Sequence, residues 1–371
     1  MSSHIGYFRI FAGYILARTM KRIYILTLTA LTAAIFGGCA KSVPEGTNDA
    51  NKRYFDAWIS VNAPETERVG RGIYVYPESV VEGTGAVVEK DGFAICRYTC
   101  TDLAGNITSY TDKEVAMQLG EYSPSSYYGI RVMTTTDETI RAGVSDAIMG
   151  MKAGGAKKFV VPTWLMVYSY YKTEKEYLEQ SSDQASSVYD IKIVDFAKNI
   201  SDWELSKMEE CFKKPDFFNG AFNSTTIADS TSRGFYFKML SKFESEKDFP
   251  QDTTIYINYT GSLLDIPEFS DGLIFDTSIE NVAKDNHLYS SSKTYKALPV
   301  KWAETHSEIT LDGSNVVSGF SQTLWNMANC GPGTRAVGVF YSPLGYSYDG
   351  SGNIPAYAPL VFEIEIVEKP E

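Results

Sequence analysis

The chain has 371 residues, of which 44% are hydrophobic and 22% charged, so an entirely disordered chain and a polytopic membrane protein are both excluded. The length predicts about two domains. The 34 basic and 46 acidic residues give a net charge of -12, which argues against nucleic-acid binding, because such proteins need positive charge to neutralise phosphates. The five cysteines and three histidines show no Cys-x-x-Cys or His-x-x-x-His spacing, so neither a metal site nor a cofactor is expected.

The N-terminal segment has the pattern of an export signal. Lys21 and Arg22 precede a largely apolar run over residues 23–36, and Gly37-Gly38-Cys39-Ala40 follows. A secretory signal typically has a charged start, a short apolar core and small residues at the cleavage site, whereas a membrane span needs about 20 apolar residues. Met20 is expected to be the natural first residue, because it directly precedes the charged start.

Cys39, which follows two glycines, resembles the lipidation site of bacterial lipoproteins. The resemblance implies that residues 1–38 are a signal peptide and that Cys39 carries the lipid. It also implies a protein anchored to a membrane of the bacterial cell envelope, facing the periplasm or the cell surface. Phe36 departs from the pattern, in which Leu is commoner, so a plain signal peptide or an anchor helix is the alternative. Residues 39–65 are expected to form a flexible tether and a short helix.

The rest of the chain contains one pattern twice, with an offset of about 170 residues. The matching segments are Gly72-Ile73-Tyr74-Val75 and Gly234-Phe235-Tyr236-Phe237, Cys96-Arg97-Tyr98-Thr99 and Ile257-Asn258-Tyr259-Thr260, the stretches 143–151 and 319–327, and the alternating stretches 188–193 and 361–366. Such a long offset indicates tandem domains rather than a solenoid of short repeats. We therefore expect one domain over residues 66–198 and a second over 233–371.

Residues 199–232 are predicted to contain a linker helix and a loop. Ser201-Asp202-Trp203-Glu204 supplies an acidic first turn, and Leu205, Met208 and Phe212 then recur at helical spacing. A comparable stretch over residues 54–59 precedes the first repeat. Each stretch is interpreted as a helix packed on its own domain rather than a partner-binding device.

The second repeat contains five motifs in a fixed order. They occupy residues 255–261, 272–278, 315–327, 340–346 and 350–363, and the third includes a short helix expected over 321–327. In this order the motifs resemble the FKBP-type, macrolide-binding peptidyl-prolyl isomerases, over about residues 234–368. The resemblance implies an α+β fold for each repeat: a twisted antiparallel sheet wrapped around one short helix, with an apolar cleft between them.

The resemblance also implies the residues of that cleft, position by position. The implied catalytic residues are Tyr259, Phe275, Asp276 and Tyr346, and the implied substrate-binding residues are Val316, Val317, Phe320, Ile354 and Phe362. In this family pattern the Val317 N–H and the Tyr346 hydroxyl hold substrate carbonyls, while Asp276 is hydrogen-bonded to Tyr259.

Two positions depart from the family pattern. Phe320 stands where the family has Trp, and Ser307 stands where another pocket Phe is expected. Trp302, Tyr289 and Tyr295, in an insertion over residues 278–309, are candidates to replace the missing wall.

The first repeat keeps only part of this set. Thr108-Ser109 stands in place of the Phe-Asp pair, Val144 in place of the floor aromatic, and Met166 near the place of the late Tyr, whereas Tyr98 and Tyr189 persist. We therefore predict a domain that retains the fold but lacks isomerase activity. Peptide binding, spacing and dimerisation are equally compatible with it.

The resemblance implies a lipid-anchored prolyl isomerase that assists the folding of exported proteins. Its partners would be proline-containing polypeptides and macrolide-type ligands. No Gly-x-x-x-x-Gly-Lys-Ser/Thr phosphate loop, Gly-x-Ser-x-Gly elbow or Gly-x-Gly-x-x-Gly cofactor turn occurs in the sequence. The alternative is a non-catalytic lipoprotein that keeps the same fold and binds peptides or a partner protein.

Overall fold

The computed structural model describes residues 48–370 except 181, 221, 223–232, 245–248 and 268, so Cys39 lies outside the described residues. The helices are α1 (Asp49–Asn62), α2 (Lys113–Leu119), α3 (Ala142–Ile148), α4 (Glu174–Leu178), α5 (Ile200–Phe212), α6 (Glu280–Asp285) and α7 (Ser318–Trp325). The strands of the first half are β1 (Glu67–Val69), β2 (Ile73–Val75), β3 (Phe93–Asp102), β4 (Ile107–Tyr110), β5 (Arg131–Thr134), β6 (Ala156–Val161) and β7 (Ser187–Ala197). Those of the second half are β8 (Phe235–Ser241), β9 (Thr254–Leu263), β10 (Ile274–Thr277), β11 (Leu298–Lys301), β12 (Thr310–Leu311), β13 (Ser314–Asn315), β14 (Arg335–Phe340) and β15 (Leu360–Val367).

The strands form two antiparallel sheets with the same central order. In the first sheet the order is β1-β2-β6-β7-β3-β4, and β5 also pairs with β3. In the second it is β13-β12-β11-β9-β15-β14-β8, and β10 also pairs with β9. The run β2-β6-β7-β3 of one sheet therefore corresponds to β8-β14-β15-β9 of the other. This topology confirms the predicted α+β class and the tandem arrangement.

Alternating burial explains why these segments form strands with one face on a core. Along β9 the buried positions are Ile255, Ile257, Tyr259, Gly261 and Leu263, and the residues between them are more exposed. Since successive side chains of a strand point to opposite faces, this period of two places every buried side chain on the same side. The same alternation holds along the C-terminal part of β15. Tyr259 and Phe362 are thereby brought to the face that meets the helix.

A short helix packs against each sheet at the same point of the repeat. A Cβ on Gly319 of α7 would lie 2.3 Å from the Phe340 ring, and one on Gly143 of α3 would lie 2.3 Å from Val161. Both positions therefore need glycine so that the helix can approach the end of β14 or β6. Helix α7 begins at Ser318, earlier than the predicted 321, because the amides of Phe320 and Ser321 already donate to the Val317 carbonyl.

The helix that precedes each domain packs on that domain, as predicted. Phe55 and Ile59 of α1 and Met208 and Phe212 of α5 are buried. Helix α5 begins at Ile200, one residue before the predicted segment, because the side chain of Asn199 accepts hydrogen bonds from two amides of its first turn.

The insertion of the second repeat also has a counterpart in the first. Tyr122 stacks on Tyr128 at 5.6 Å and Tyr289 stacks on Tyr295 at 5.5 Å. In both loops the second tyrosine hydroxyl accepts a 3.0 Å hydrogen bond from the amide that follows the first tyrosine. The spacing Tyr-Ser-x-Ser-x-x-Tyr occurs at residues 122–128 and again at 289–295, so the sequence itself indicates that this loop is also repeated.

The two domains contact each other through loops and the start of β3. Tyr127 lies 5.7 Å from Phe269, and Phe93 lies 5.5 Å from Tyr357. The side-chain amide of Asn353 also donates a 2.7 Å hydrogen bond to the Ser125 carbonyl. Within the described residues, no helix has the length and apolar character required to cross a bilayer.

Candidate functional site

A cavity of about 520 Å³, here called the C-terminal cleft, lies between α7 and the sheet of the second domain. All nine residues implied by the family resemblance line it: Tyr259, Phe275, Asp276, Val316, Val317, Phe320, Tyr346, Ile354 and Phe362. They come from three strands, the start of α7 and the loop between β14 and β15. Strand pairing and helix packing thus gather residues that lie about a hundred positions apart in sequence.

Aromatic rings form the floor of the C-terminal cleft. Phe320, Phe362 and Tyr259 are buried, whereas Phe275 is half-buried. The Phe320 ring lies edge-on to Tyr259 at 5.6 Å and to Phe362 at 5.0 Å. Phe275 contacts Phe362 edge-on at 5.6 Å. These edge-to-face contacts fix the rings and leave an apolar surface facing the cavity.

Asp276 is the charged group of the C-terminal cleft, and its carboxylate accepts hydrogen bonds from three donors. The Tyr259 hydroxyl donates to Oδ2 at 2.5 Å, the Lys293 ammonium lies 2.5 Å from Oδ1, and the Thr277 amide donates to Oδ1 at 2.9 Å. The implied Tyr259–Asp276 contact is therefore present. Lys293 comes from the insertion, and nothing in the sequence links it to Asp276.

The two tyrosine hydroxyls of the C-terminal cleft remain protonated at neutral pH. Burial, and then the hydrogen bond to Asp276, raise the pKa of Tyr259 above its ordinary value. Burial, followed by the charge of Asp276, also raises the pKa of Tyr346. Both groups can therefore act as hydrogen-bond donors.

Two donors at the cleft are free to bind a ligand. Among the described residues, neither the Tyr346 hydroxyl nor the Val317 backbone N–H has a hydrogen-bond partner. Val317 is the N-cap of α7, where backbone amides lack intrahelical acceptors. A carbonyl group entering the cleft would satisfy either donor.

The candidates for the missing wall lie elsewhere. Trp302 stacks on Trp325 at 5.5 Å, and Tyr289 stacks on Tyr295, so none of the three candidates lines the cavity. Ser307 does not line it either. The remaining lining residues, all absent from the sequence-based set, are Leu311, Asn315, Ser351, Gly352 and Asn353.

The first domain has a larger cavity at the same place, about 730 Å³ in volume and here called the N-terminal cleft. The residues matched to the family positions from the sequence all line it: Tyr98, Thr108, Ser109, Val144, Met166 and Tyr189. The Tyr98 hydroxyl lies 3.3 Å from Ser109 Oγ, where the second domain has the Tyr259–Asp276 pair. The N-terminal cleft therefore has no carboxylate at this position.

Metal ligation has no candidate cluster in the described structure. In the part of the chain that the structure describes, no group of three or more His, Cys, Asp or Glu side chains has an arrangement that could hold a metal ion. The cysteines at positions 96, 100, 211 and 330 are free and buried.

Neither a family model nor a curated protein matches the chain in sequence. Similar solved structures include the three FKBP domains of wheat FKBP73, at 13% identity and a TM-score of 0.26, over 80% of this chain and 94% of that one. FkpA from Escherichia coli matches at 16% identity and a TM-score of 0.27, over 49% of this chain and 71% of its own. A peptidyl-prolyl cis-trans isomerase from Pseudomonas syringae matches at 20% identity and a TM-score of 0.24, over 43% of this chain and 94% of its own.

Proposed function

We propose that the C-terminal domain is a peptidyl-prolyl cis-trans isomerase of the FKBP type, acting on proline-containing polypeptides. The observation that carries this proposal is the C-terminal cleft: an aromatic floor with two donors, Val317 N–H and the Tyr346 hydroxyl, that have no partner among the described residues. The ring of a proline fits an apolar floor, and the flanking carbonyls of the peptide need donors.

The reaction requires no nucleophile. Amide resonance imposes a barrier of about 18–20 kcal/mol to rotation. For an X-Pro bond the two isomers differ by only about 0.5–1 kcal/mol, so a catalyst must lower the barrier rather than shift the equilibrium. The twisted transition state has lost much of the amide dipole, and a dry apolar cleft therefore stabilises it relative to the planar ground state.

Each residue has a defined part in this scheme. Phe320, Phe362 and Phe275 pack around the proline ring and exclude water. The Val317 N–H and the Tyr346 hydroxyl hold the carbonyls on either side of the rotating bond. Asp276 holds the Tyr259 hydroxyl in place and supplies negative charge at the wall of the cleft.

A direct measurement tests this assignment. Line-shape or exchange NMR on an X-Pro peptide should show faster cis-trans exchange in the presence of the full chain. Tyr346→Phe should lower the acceleration, whereas Tyr348→Phe is the matched control, because Tyr348 is 67% exposed and lies outside this cleft. Exchange at the uncatalysed rate with the folded chain would refute an isomerase.

A non-catalytic peptide-binding role is the second candidate, and the floor residue favours it. Phe320 presents a smaller ring than the Trp of the family pattern, so a bound proline would be less tightly enclosed. The same NMR experiment separates the two, because a binding protein would broaden or shift the peptide signals without accelerating exchange. Binding of a macrolide that competes with the peptide would support use of the cleft in either case.

We further propose that the mature chain is anchored in the bacterial cell envelope through a lipid on Cys39 and assists the folding of exported proteins there. The support is the signal-like sequence of residues 20–40. Cells fed labelled palmitate should incorporate the label into the chain, and Cys39→Ser should abolish incorporation. Labelling that persists in the variant would contradict this anchor.

A further inference from the structure

The N-terminal cleft contains a single charged side chain among its described lining residues, Arg141, and no acidic one. This is unusual in a chain whose acidic residues outnumber its basic residues by 46 to 34. Arg141 immediately precedes α3, as Val317 immediately precedes α7. An arginine therefore replaces an apolar side chain at the mouth of the repeated cleft.

The guanidinium of Arg141 is only partly satisfied. Its Nη1 donates a 3.2 Å hydrogen bond to the Tyr189 hydroxyl, and its Nε is buried without a partner among the described residues. A charged donor without an acceptor is costly to bury, because it has lost water and gained nothing in return. A ligand carboxylate in the cleft would place a negative charge beside this guanidinium.

Other arginines of the same domain show the contrast. Arg71 is paired with Asp146 at 2.7 Å, and Arg97 is paired with Asp112 at 2.8 Å. Arg141 has no carboxylate partner among the described residues, and its guanidinium contacts only the Tyr189 hydroxyl and the Tyr168 ring among them. Its positive charge is thus left available to a ligand in the cleft.

The rest of the lining suits a polypeptide rather than an isolated anion. Tyr98 and Tyr189 line the interior, and Tyr168, which is 53% exposed, stands at the rim beneath the Arg141 guanidinium at 5.8 Å. Tyr348 and Tyr357 reach the same cleft from the C-terminal domain. Tyrosines offer large rigid surfaces to apolar side chains and hydroxyls to backbone groups, and the exposed rim lets a chain extend out of the cavity.

We propose that the N-terminal cleft binds a carboxylate of a polypeptide, with Arg141 as its ionic partner and the tyrosines packing against the adjoining apolar side chains. The carboxylate is that of an Asp or Glu side chain or of a chain terminus, since both present the same two acceptor oxygens. The site is separate from the C-terminal cleft and does not depend on isomerase activity.

Fluorescence anisotropy with the full chain tests the site. The probes are nine-residue peptides of Ala and Phe, free of proline and labelled with an uncharged dye, in three forms. One has a central Glu and an amidated end, one a central Gln and a free carboxyl end, and one a central Gln and an amidated end. At least one of the two carboxylate peptides should bind about tenfold more tightly than the uncharged peptide. The tighter one identifies the source of the carboxylate.

Variants test whether the preference for carboxylate peptides depends on Arg141. Arg141→Gln should remove the preference, and Arg141→Lys should retain part of it, because Lys keeps the charge but not the planar fork. Arg53→Gln is the matched control, as it removes the same charge from an exposed position on α1. A preference that survives Arg141→Gln, or equal binding of all three peptides by the unmodified chain, would overturn the proposal.

Two further measurements locate the bound peptide. Tyr348→Glu places a negative charge on the exposed rim without burying anything, so it should weaken the carboxylate peptides more than the uncharged one even if Arg141→Gln fails to fold. If Tyr348→Glu left the ratio of the carboxylate-peptide affinity to the uncharged-peptide affinity unchanged, the result would count against the site. Displacement of the bound carboxylate peptide by excess proline peptide would place it in the C-terminal cleft instead and likewise refute the proposal.

Discussion

The two clefts are built on equivalent strands and an equivalent helix, yet they carry opposite charges. In the C-terminal cleft, Tyr259 donates to Asp276, whereas in the N-terminal cleft, Tyr98 meets Ser109 and Arg141 supplies the charge. The central strands and the short helix correspond in the two domains, whereas the side chains at the mouth and on the floor differ. The same sheet-and-helix unit thus forms a cavity in both domains, and the side chains that line the two cavities give them different chemistry.

The loop between β14 and β15 connects these two sites. Tyr346 and Ile354 of this loop line the C-terminal cleft, and Tyr348, Ala356 and Tyr357 line the N-terminal cleft. The second domain thus completes the cavity of the first. The following four predictions test the differences between the two halves, beginning with the largest expected effect.

Substitutions in the floors of the two clefts should differ most in their effect on the free energy of unfolding. Phe320 is 2% exposed and packs edge-on against two other rings, so Phe320→Ala should lower the free energy of unfolding by about 3–5 kcal/mol. Its counterpart Val144 is smaller, and Val144→Ala should cost about 2 kcal/mol, since it removes only two methyl groups. Urea unfolding followed by circular dichroism gives both values. Equal losses would mean that the two floors are packed alike.

A buried acid should make only the second domain sensitive to pH. Glu204 of α5 accepts hydrogen bonds from the amide and hydroxyl of Ser342, and burial raises its pKa to about 7. The corresponding amide in the first domain, that of Thr163, donates to the neutral Ser186 hydroxyl. Only the Glu204 contact can titrate.

The direction in which stability changes with pH follows from the raised pKa of Glu204. Because the folded chain holds this proton more tightly than the unfolded chain, the stabilisation is complete below about pH 4.5 and lost as the pH rises through about 7, a change of about 3 kcal/mol. Glu204→Gln should keep an uncharged hydrogen-bonding group against Ser342 and remove this part of the pH dependence. Urea midpoints measured from pH 4.5 to 8 give the comparison, and parallel curves for the two proteins would contradict it.

Isomerase activity should depend on the Asp276 carboxylate of the C-terminal cleft and not on the Ser109 hydroxyl of the N-terminal cleft. Asp276→Asn leaves Lys293 without its anion and weakens the orientation of Tyr259, so kcat/KM for X-Pro isomerisation should fall by about tenfold to a hundredfold. Ser109→Ala, the matched change at the N-terminal cleft, should leave it unchanged. A similar fall in both variants would show that the first domain also takes part in catalysis.

Removing the Lys293–Asp276 ion pair at the mouth of the C-terminal cleft should have the smallest effect on isomerase activity. Lys293 and Asp276 are 42% and 41% exposed, and exposed pairs contribute about 0–1 kcal/mol. Lys293→Gln should therefore change kcat/KM by less than about fivefold, and the change should shrink at high salt. Lys284→Gln, an exposed lysine paired within α6, is the control. A loss as large as that of Asp276→Asn would make Lys293 essential to the site.

Much of the C-terminal cleft could be predicted because the motifs of the second repeat resemble those of the FKBP-type isomerases, position by position. The alternation along β9 places Tyr259 on the inner face, and the glycine before Phe320 marks the helix that meets the sheet. Lys293 could not be predicted in the same way. It lies in a loop of serines and tyrosines, and its contact with Asp276 depends on how that loop folds back over β10.

The sequence by itself revealed the duplication, because its motifs and hydrophobic periodicity recur within short segments, and its resemblance to the FKBP-type isomerases implied the class of fold and the cleft residues. The tertiary structure alone decided which charges meet. It paired Asp276 with Lys293, buried Glu204 against Ser342, and left Arg141 without a carboxylate partner among the described residues. These contacts join segments that no local pattern links, and their energies depend on burial and distance, which only the folded chain defines.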